Sequence, residues 1–192
     1  RGSRLWPRGV VPYTIHSSVS TPARVRTALR TWAATGIRFV PRTTERAYVT
    51  FVEERGNGVC RAQVGYDGGR QYVYLRDTSR HTACNLGVVV HEIGHVLGLW
   101  HEHTRPDRDE YVRIVWSHVP AAHRDAFEIM TSGARRVGPY DIGSTMHYRS
   151  YTLSSDGRAS ITRRNGDLLL HDWSTISAGD VAAIRTLYFG GT

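Results

Sequence analysis

The stretch from Asn85 to Leu99 constrains this chain most. Leu86, Val88, Val89, Val90, Ile93, Val96, Leu97 and Leu99 surround His91, Glu92 and His95. A helix that is apolar nearly all round is a buried helix. Burying three polar side chains in it costs several kcal/mol unless they have partners. His91-Glu92-Ile93-Gly94-His95 supplies a reason for the cost. Positions i and i+4 share one helix face, so both imidazoles reach a single ion, and Glu92 projects nearby as a general base. Zinc suits these donors and leaves a coordination position open for water. Gly98 follows three residues after His95, where the chain must turn sharply through a left-handed conformation that glycine adopts freely. His101, six residues beyond His95, then folds back as a third ligand.

The rest of the chain reads as scaffold for that helix. Its 192 residues make one domain, 1–192, built as lobes 1–98 and 99–192. Val10 to Ile15 reads as a first strand, with Pro12 marking it as an edge because proline cannot donate to a ladder. Thr21 and Pro22 open a helix with a stripe of Val25, Ala28, Leu29, Trp32 and Ala33, and Gly36 stops it. Ile37 to Val40, Tyr48 to Val52 and Gln71 to Leu75 read as strands, and Gly56-Asn57-Gly58 as a turn. Residues 100–175 show little periodicity and read as loops around a few short helices. Ser177 and Asp180 cap a last helix whose stripe is Val181, Ile184, Leu187 and Tyr188. The order is that of an α+β fold.

Charge and cysteine content exclude some functions and leave others open. No apolar run approaches the ~18–20 residues of a membrane span. The net charge of +8 comes from 25 arginines and no lysine. These are scattered from Arg1 to Arg185, with doublets only at Arg135-Arg136 and Arg163-Arg164, which reads as a solvated cationic surface and not as a nucleic-acid site. Cys60 and Cys84 are compatible with one disulfide or with two buried thiols. The polar opening Arg1-Gly2-Ser3 carries no signal peptide, so the chain reads as a mature or trimmed form.

The spacing H-x-x-x-H-x-x-G-x-x-H is a metzincin pattern. Residues 91–109, from His91-Glu92-Ile93-Gly94-His95 through Arg105-Pro106-Asp107-Arg108-Asp109, resemble the signature HExxHxxGxxHExxRxDRD of the astacin family of zinc endopeptidases at every fixed position. Ser144-Thr145-Met146-His147-Tyr148 resembles that family's Met-turn. Leu5-Trp6, Gly9 to Tyr13 and Ile37 to Arg42 are similar to the opening of its catalytic domain. The resemblance implies a two-lobed zincin fold, with a twisted, mostly parallel sheet and an active-site helix before a loop-rich lobe. It implies one catalytic zinc held by His91, His95 and His101, with Glu92 as general base. Tyr148 would be a switchable further ligand that stabilises the oxyanion, Met146 the apolar floor, and Glu102 the residue that meets the buried N-terminus of mature enzymes. It also implies a disulfide between Cys60 and Cys84.

The family's second disulfide is absent, since Gly36 stands at the first position and the tail lacks cysteine. The N-terminus also looks about four residues short of reaching Glu102. Arg105, Asp107, Arg108 and Asp109 are expected to pair and fix the loop after His101. His103 and His147 are expected near the site in supporting roles, and His16, His81, His118, His123 and His171 on the surface.

The resemblance implies a secreted, monomeric zinc endopeptidase, made with an inhibitory propeptide and cutting polypeptides in extended conformation. The substrate would pair with a sheet edge, for which Tyr72 to Leu75 is the candidate. Acidic residues near the scissile bond are expected to be welcome, given the excess of arginine. A zinc module without hydrolysis would have lost the base or a ligand, and neither is lost. A basic nucleic-acid binder lacks the clustering it needs.

Overall fold

The computed structural model describes residues 4–54, 59–76, 84–131, 133 and 135–190. The turn expected at Gly56-Asn57-Gly58, and His81, lie outside the described residues. Five strands form one sheet: β1 (Val10–Ile15), β2 (Arg38–Pro41), β3 (Tyr48–Glu54), β4 (Arg61–Ala62) and β5 (Arg70–Arg76), in the order β2-β1-β3-β5-β4. All neighbours are parallel except β4 and β5, which run antiparallel. Two helices cover the inner face, α1 (Pro22–Ala33) and α2 (Leu86–Val96).

Two expectations about sheet edges are corrected. β1 lies between β2 and β3, so Pro12 is not on an edge strand. It is tolerated because the ladder with β3 begins only at Tyr13. Likewise β5 is not the edge. The two-residue β4 covers it, with Arg61 opposite Tyr74 and Ala62 opposite Val73. So short a strand carries no periodic signal.

The inner face is apolar because β5 alternates: Gln71, Val73 and Leu75 point inward, while Tyr72 and Tyr74 remain half-exposed. Val73, Leu75, Val49 and Phe51 meet Trp32, Val89, Val90 and Ile93 in one core. Asn85 starts α2 by accepting the Val88 N–H at 3.1 Å. The C-terminal carbonyls of α2 have no partner within the helix. Trp6 Nε1 donates to Val96 O at 2.9 Å, and the Tyr188 hydroxyl to Leu97 O at 2.9 Å. Residues near both ends of the chain therefore fasten the end of α2 that carries His95.

Beyond α2 lie short 3₁₀ turns, a small antiparallel sheet of β6 (Val112–Ile114) and β7 (Ile161–Arg163), and α3 (Ala178–Phe189). A second cluster gathers Val112, Ile114, Phe127, Ile161 and Leu169. α3 begins with a reciprocal capping box between Ser177 and Asp180. At its far end the half-exposed Phe189 ring lies over Gly36 and Gly9, where an added Cβ would stand 3.1 Å from a ring carbon. Cys60 and Cys84 form a disulfide, with Cα atoms 6.0 Å apart. No helix among the described residues is long and apolar enough to cross a membrane.

Candidate metal centre

α2 places His91 and His95 one turn apart, and the chain reverses at Gly98, where φ is +95°. The turn is closed by Gly98 N–H to His95 O at 2.8 Å and Leu99 N–H to Gly94 O at 3.0 Å. His101 returns so that its Nε2 lies 3.1 Å from Nε2 of both His91 and His95. The donor atoms of the three rings lie within 4.8 Å of one another.

Two tautomers are fixed by the backbone. His91 Nδ1 donates to Thr145 O at 2.7 Å, and His95 Nδ1 to Leu99 O at 2.8 Å. A carbonyl only accepts, so each ring carries its proton on Nδ1 and turns a bare Nε2 lone pair inward. Burial pushes the His91 imidazole down to about 3 and His95 down to about 4, and holds His101 well below the usual histidine value. All three rings are therefore neutral, as metal ligation requires. His101 can offer at most one proton to two lone pairs at 3.1 Å. A shared cation satisfies all three at once, and imidazole nitrogens suit zinc. The residues present fit that ion.

Glu92, 6% exposed, has one carboxylate oxygen buried without a partner. Burial pushes its carboxyl up to about 8, against a hydrogen bond from the Ala62 backbone on β4. Tyr148 packs its ring 4.7 Å from His101 and 3.9 Å from His103. Burial first, and the Glu92 charge second, push its hydroxyl up to about 12. Met146 is buried under α2, and a Cβ on Gly94 would collide with its Sδ.

Glu102 accepts from Asp141 N–H at 2.8 Å and pairs with Arg105 at 3.2 Å. Burial pushes its carboxyl up to about 7. The contact expected between Glu102 and the N-terminus involves Arg1 to Ser3, which lie outside the described residues. Arg105 also binds Asp107 at 2.8 Å, and Arg108 binds Asp109 at 2.8 Å, so the expected ion pairs after His101 are present. His103 is buried with Nε2 on Ala126 O at 3.0 Å, and His147 binds the Tyr140 hydroxyl at 2.6 Å. His16 and His123 are exposed as expected. His118 and His171 are corrections. Both are half-buried, His118 donating from Nδ1 to Ala159 O at 2.9 Å and His171 lying 3.2 Å from His147 O through Nε2.

Sequence reading missed the residues that orient the ligands. Trp173 stacks on His91 at 4.8 Å and donates to His147 O at 2.9 Å. Asp180 on α3 accepts from the Ser144 hydroxyl at 2.6 Å and from Thr145 N–H at 2.9 Å, and so holds the carbonyl that binds His91. Gly87 leaves room for Trp173, as Gly94 does for Met146. Two glycines inside a helix, each costing about 1 kcal/mol against alanine, are the signal that could have pointed to these close approaches.

The family model for Astacin, a peptidase family, matches residues 1–189. The chain is 36% identical over 198 residues to nematocyst expressed protein 6 of Nematostella vectensis, covering 98% of this chain and 66% of that protein. It is 35% identical over 199 residues to bone morphogenetic protein 1 of Xenopus laevis, covering 98% of this chain and 27% of that protein. Both relatives are therefore longer than this chain. Among solved structures it resembles high choriolytic enzyme 1, a hatching-enzyme zinc protease of the medaka Oryzias latipes. That likeness has a TM-score of 0.83 and 33% identity, over 97% of this chain and 94% of that one. With the histidine cluster, the turn at Gly98 and the mostly parallel sheet already in place, the conclusion is direct: the chain belongs to the astacin family of peptidases.

Proposed function

We propose that this chain is a single peptidase domain, a zinc-dependent endopeptidase that hydrolyses internal bonds of extended polypeptides. The observation that carries the reading is the inward set of three Nε2 atoms, two of them locked as acceptors by Thr145 O and Leu99 O. Held by His91, His95 and His101, a zinc ion supplies Lewis acidity to the scissile carbonyl and acidifies a water molecule.

The chain's own groups do the rest. Glu92 takes a proton from the attacking water and delivers it to the leaving amine. Tyr148 keeps its hydroxyl proton at neutral pH and donates it as a hydrogen bond to the developing oxyanion. It would also serve as the switchable fourth protein ligand. The substrate backbone would add to the edge strand β4, whose Ala62 N–H already reaches Glu92. Secretion, a monomeric state and an inhibitory propeptide in the precursor belong to the same reading.

The test is cleavage of casein or gelatin, stopped by a chelator and restored by zinc. Glu92→Gln should keep zinc and lose roughly 10²–10⁴-fold in hydrolysis. Tyr148→Phe should keep zinc and lose roughly 10²–10³-fold. Zinc binding with no cleavage by the parent chain would sink the enzyme and leave a metal-binding module.

A further inference from the structure

The sheet face turned away from α1 and α2 carries arginines and tyrosines in an unbroken stack. The Arg42 guanidinium lies 4.0 Å from the centre of the Tyr48 ring. Arg70, paired opposite Tyr48 in the β3–β5 register, stands 5.6 Å from that ring and 4.7 Å from Tyr72. Tyr72 and Tyr74 stack at 5.4 Å with their planes 21° apart. Arg61, opposite Tyr74, lies 4.0 Å over its ring. Three of the six positions are cations, all exposed.

Among the described residues, only one of these arginines has its charge answered. Arg61 pairs with Glu54 at 3.0 Å. Among the described residues, no carboxylate oxygen lies within 4.0 Å of Arg42 or Arg70. Arg42 spends one N–H on Glu45 O and Arg70 one on the Thr50 hydroxyl, leaving the other guanidinium donors outward. Each guanidinium is held close to a ring, and those of Arg42 and Arg70 keep N–H donors that bind no carboxylate and are available for one. The ordering cost of a docking cation is thereby largely met before any partner arrives. The stack ends at Arg61 on β4, the edge strand along which the substrate backbone would lie.

We infer that this face is a docking surface for an Asp/Glu-rich segment of the protein substrate, remote from the scissile bond. The inference rests on the endopeptidase reading above and names the substrate class it takes. It predicts that such a tract acts through KM and leaves kcat alone, because the tract touches nothing at the reacting atoms.

Two substrates with one cleavable core decide it, one of them extended by a tract of about eight acidic residues, long enough to cross the sheet. The parent chain should show a KM ~10-fold lower for the extended substrate at low ionic strength, an advantage that disappears in concentrated salt. Arg42→Gln/Arg70→Gln should raise that KM ~5-fold and leave the core substrate unchanged. Arg42→Gln alone, at an exposed position past β2, should move it in the same direction and serves if the double variant is unstable. Arg124→Gln/Arg185→Gln, removing the same charge elsewhere, should shift it less than ~2-fold.

Equal KM for both substrates overturns the inference, as does an equal loss in the remote pair. A heparin oligosaccharide that loses binding in the Arg42/Arg70 variant while the acidic tract does not would assign the face to a sulfated polysaccharide. If the core is never cleaved, the endopeptidase reading fails instead. Anisotropy of a labelled acidic tract on the same variants then decides the docking surface by itself.

Discussion

Up to Leu97 the protein buries mainly hydrocarbon, and beyond Leu99 it buries hydrogen-bonded polar groups. Apart from His91, Glu92 and His95, the described residues of the first region bury only Thr35, Thr50 and Gln71 as polar side chains. Among the described residues, the second buries His103, Thr104, Arg108, Ser144, Thr145, His147, Ser150, Ser160, Thr162 and Asp180, all but Thr162 hydrogen-bonded through the side chain. Apolar burial is non-directional and roughly proportional to area. A buried polar group needs a partner in one place. The helix period therefore brings His91 and His95 to one face, and the Thr145 and Leu99 carbonyls set their rings. His101, Met146 and Tyr148 depend on particular backbone bonds, such as Glu102 N–H to Met146 O at 3.0 Å. One region makes the platform and the other aims the chemistry.

The largest expected effect tests the platform. Trp32 is fully buried, and its indole donates to Val90 O at 2.7 Å. Trp32→Ala should cost about 3–5 kcal/mol, read as a lower thermal midpoint, with zinc lost only as the whole domain unfolds. Asp180→Ala tests the aim. It strands the Ser144 hydroxyl and two backbone N–H groups, of Thr145 and Ser177, and should cost about 2–3 kcal/mol. Zinc affinity should fall in conditions where circular dichroism still reports a folded sheet. If the two variants lose zinc and structure in the same proportion, the division between the regions is wrong.

The smallest effect concerns the loop after His101. Hydrogen bonding from Arg105 holds the Asp107 carboxyl below its usual value. A depressed carboxylate stabilises the fold above its unfolded pKa and loses that contribution as pH falls through the folded value. Asp107→Asn should thus cost about 0.5 kcal/mol at neutral pH, by denaturant titration, and the gap to the parent should close as pH falls below the usual aspartate range.

The same contrast explains what could be read in advance. Val25, Ala28, Leu29 and Trp32 announce α1 by spacing, and the alternation from Gln71 to Leu75 announces β5. The histidine spacing announces the cluster of His91, His95 and His101. β6 and β7 have three residues each and are far apart in sequence, Ile114 meeting Ile161 only in space, so no local pattern marks them. Asp180 and Trp173 reach the site from the end of the chain through hydrogen bonds and a ring stack, which leave no period behind. Pro12 misled for a related reason. Which flank of a strand is unpaired depends on where its neighbour's ladder begins.

The ring of Phe189 against Gly36 and Gly9 has a consequence for biosynthesis. It ties the terminal helix to the start of the sheet by contact alone, at the place where the family resemblance leads one to expect sulfur. Four cysteines would admit three pairings, whereas the two in this chain admit one. Within these 192 residues oxidation has no wrong isomer to form, and a reductant can open Cys60–Cys84 without breaking the contact of Phe189 with Gly36 and Gly9.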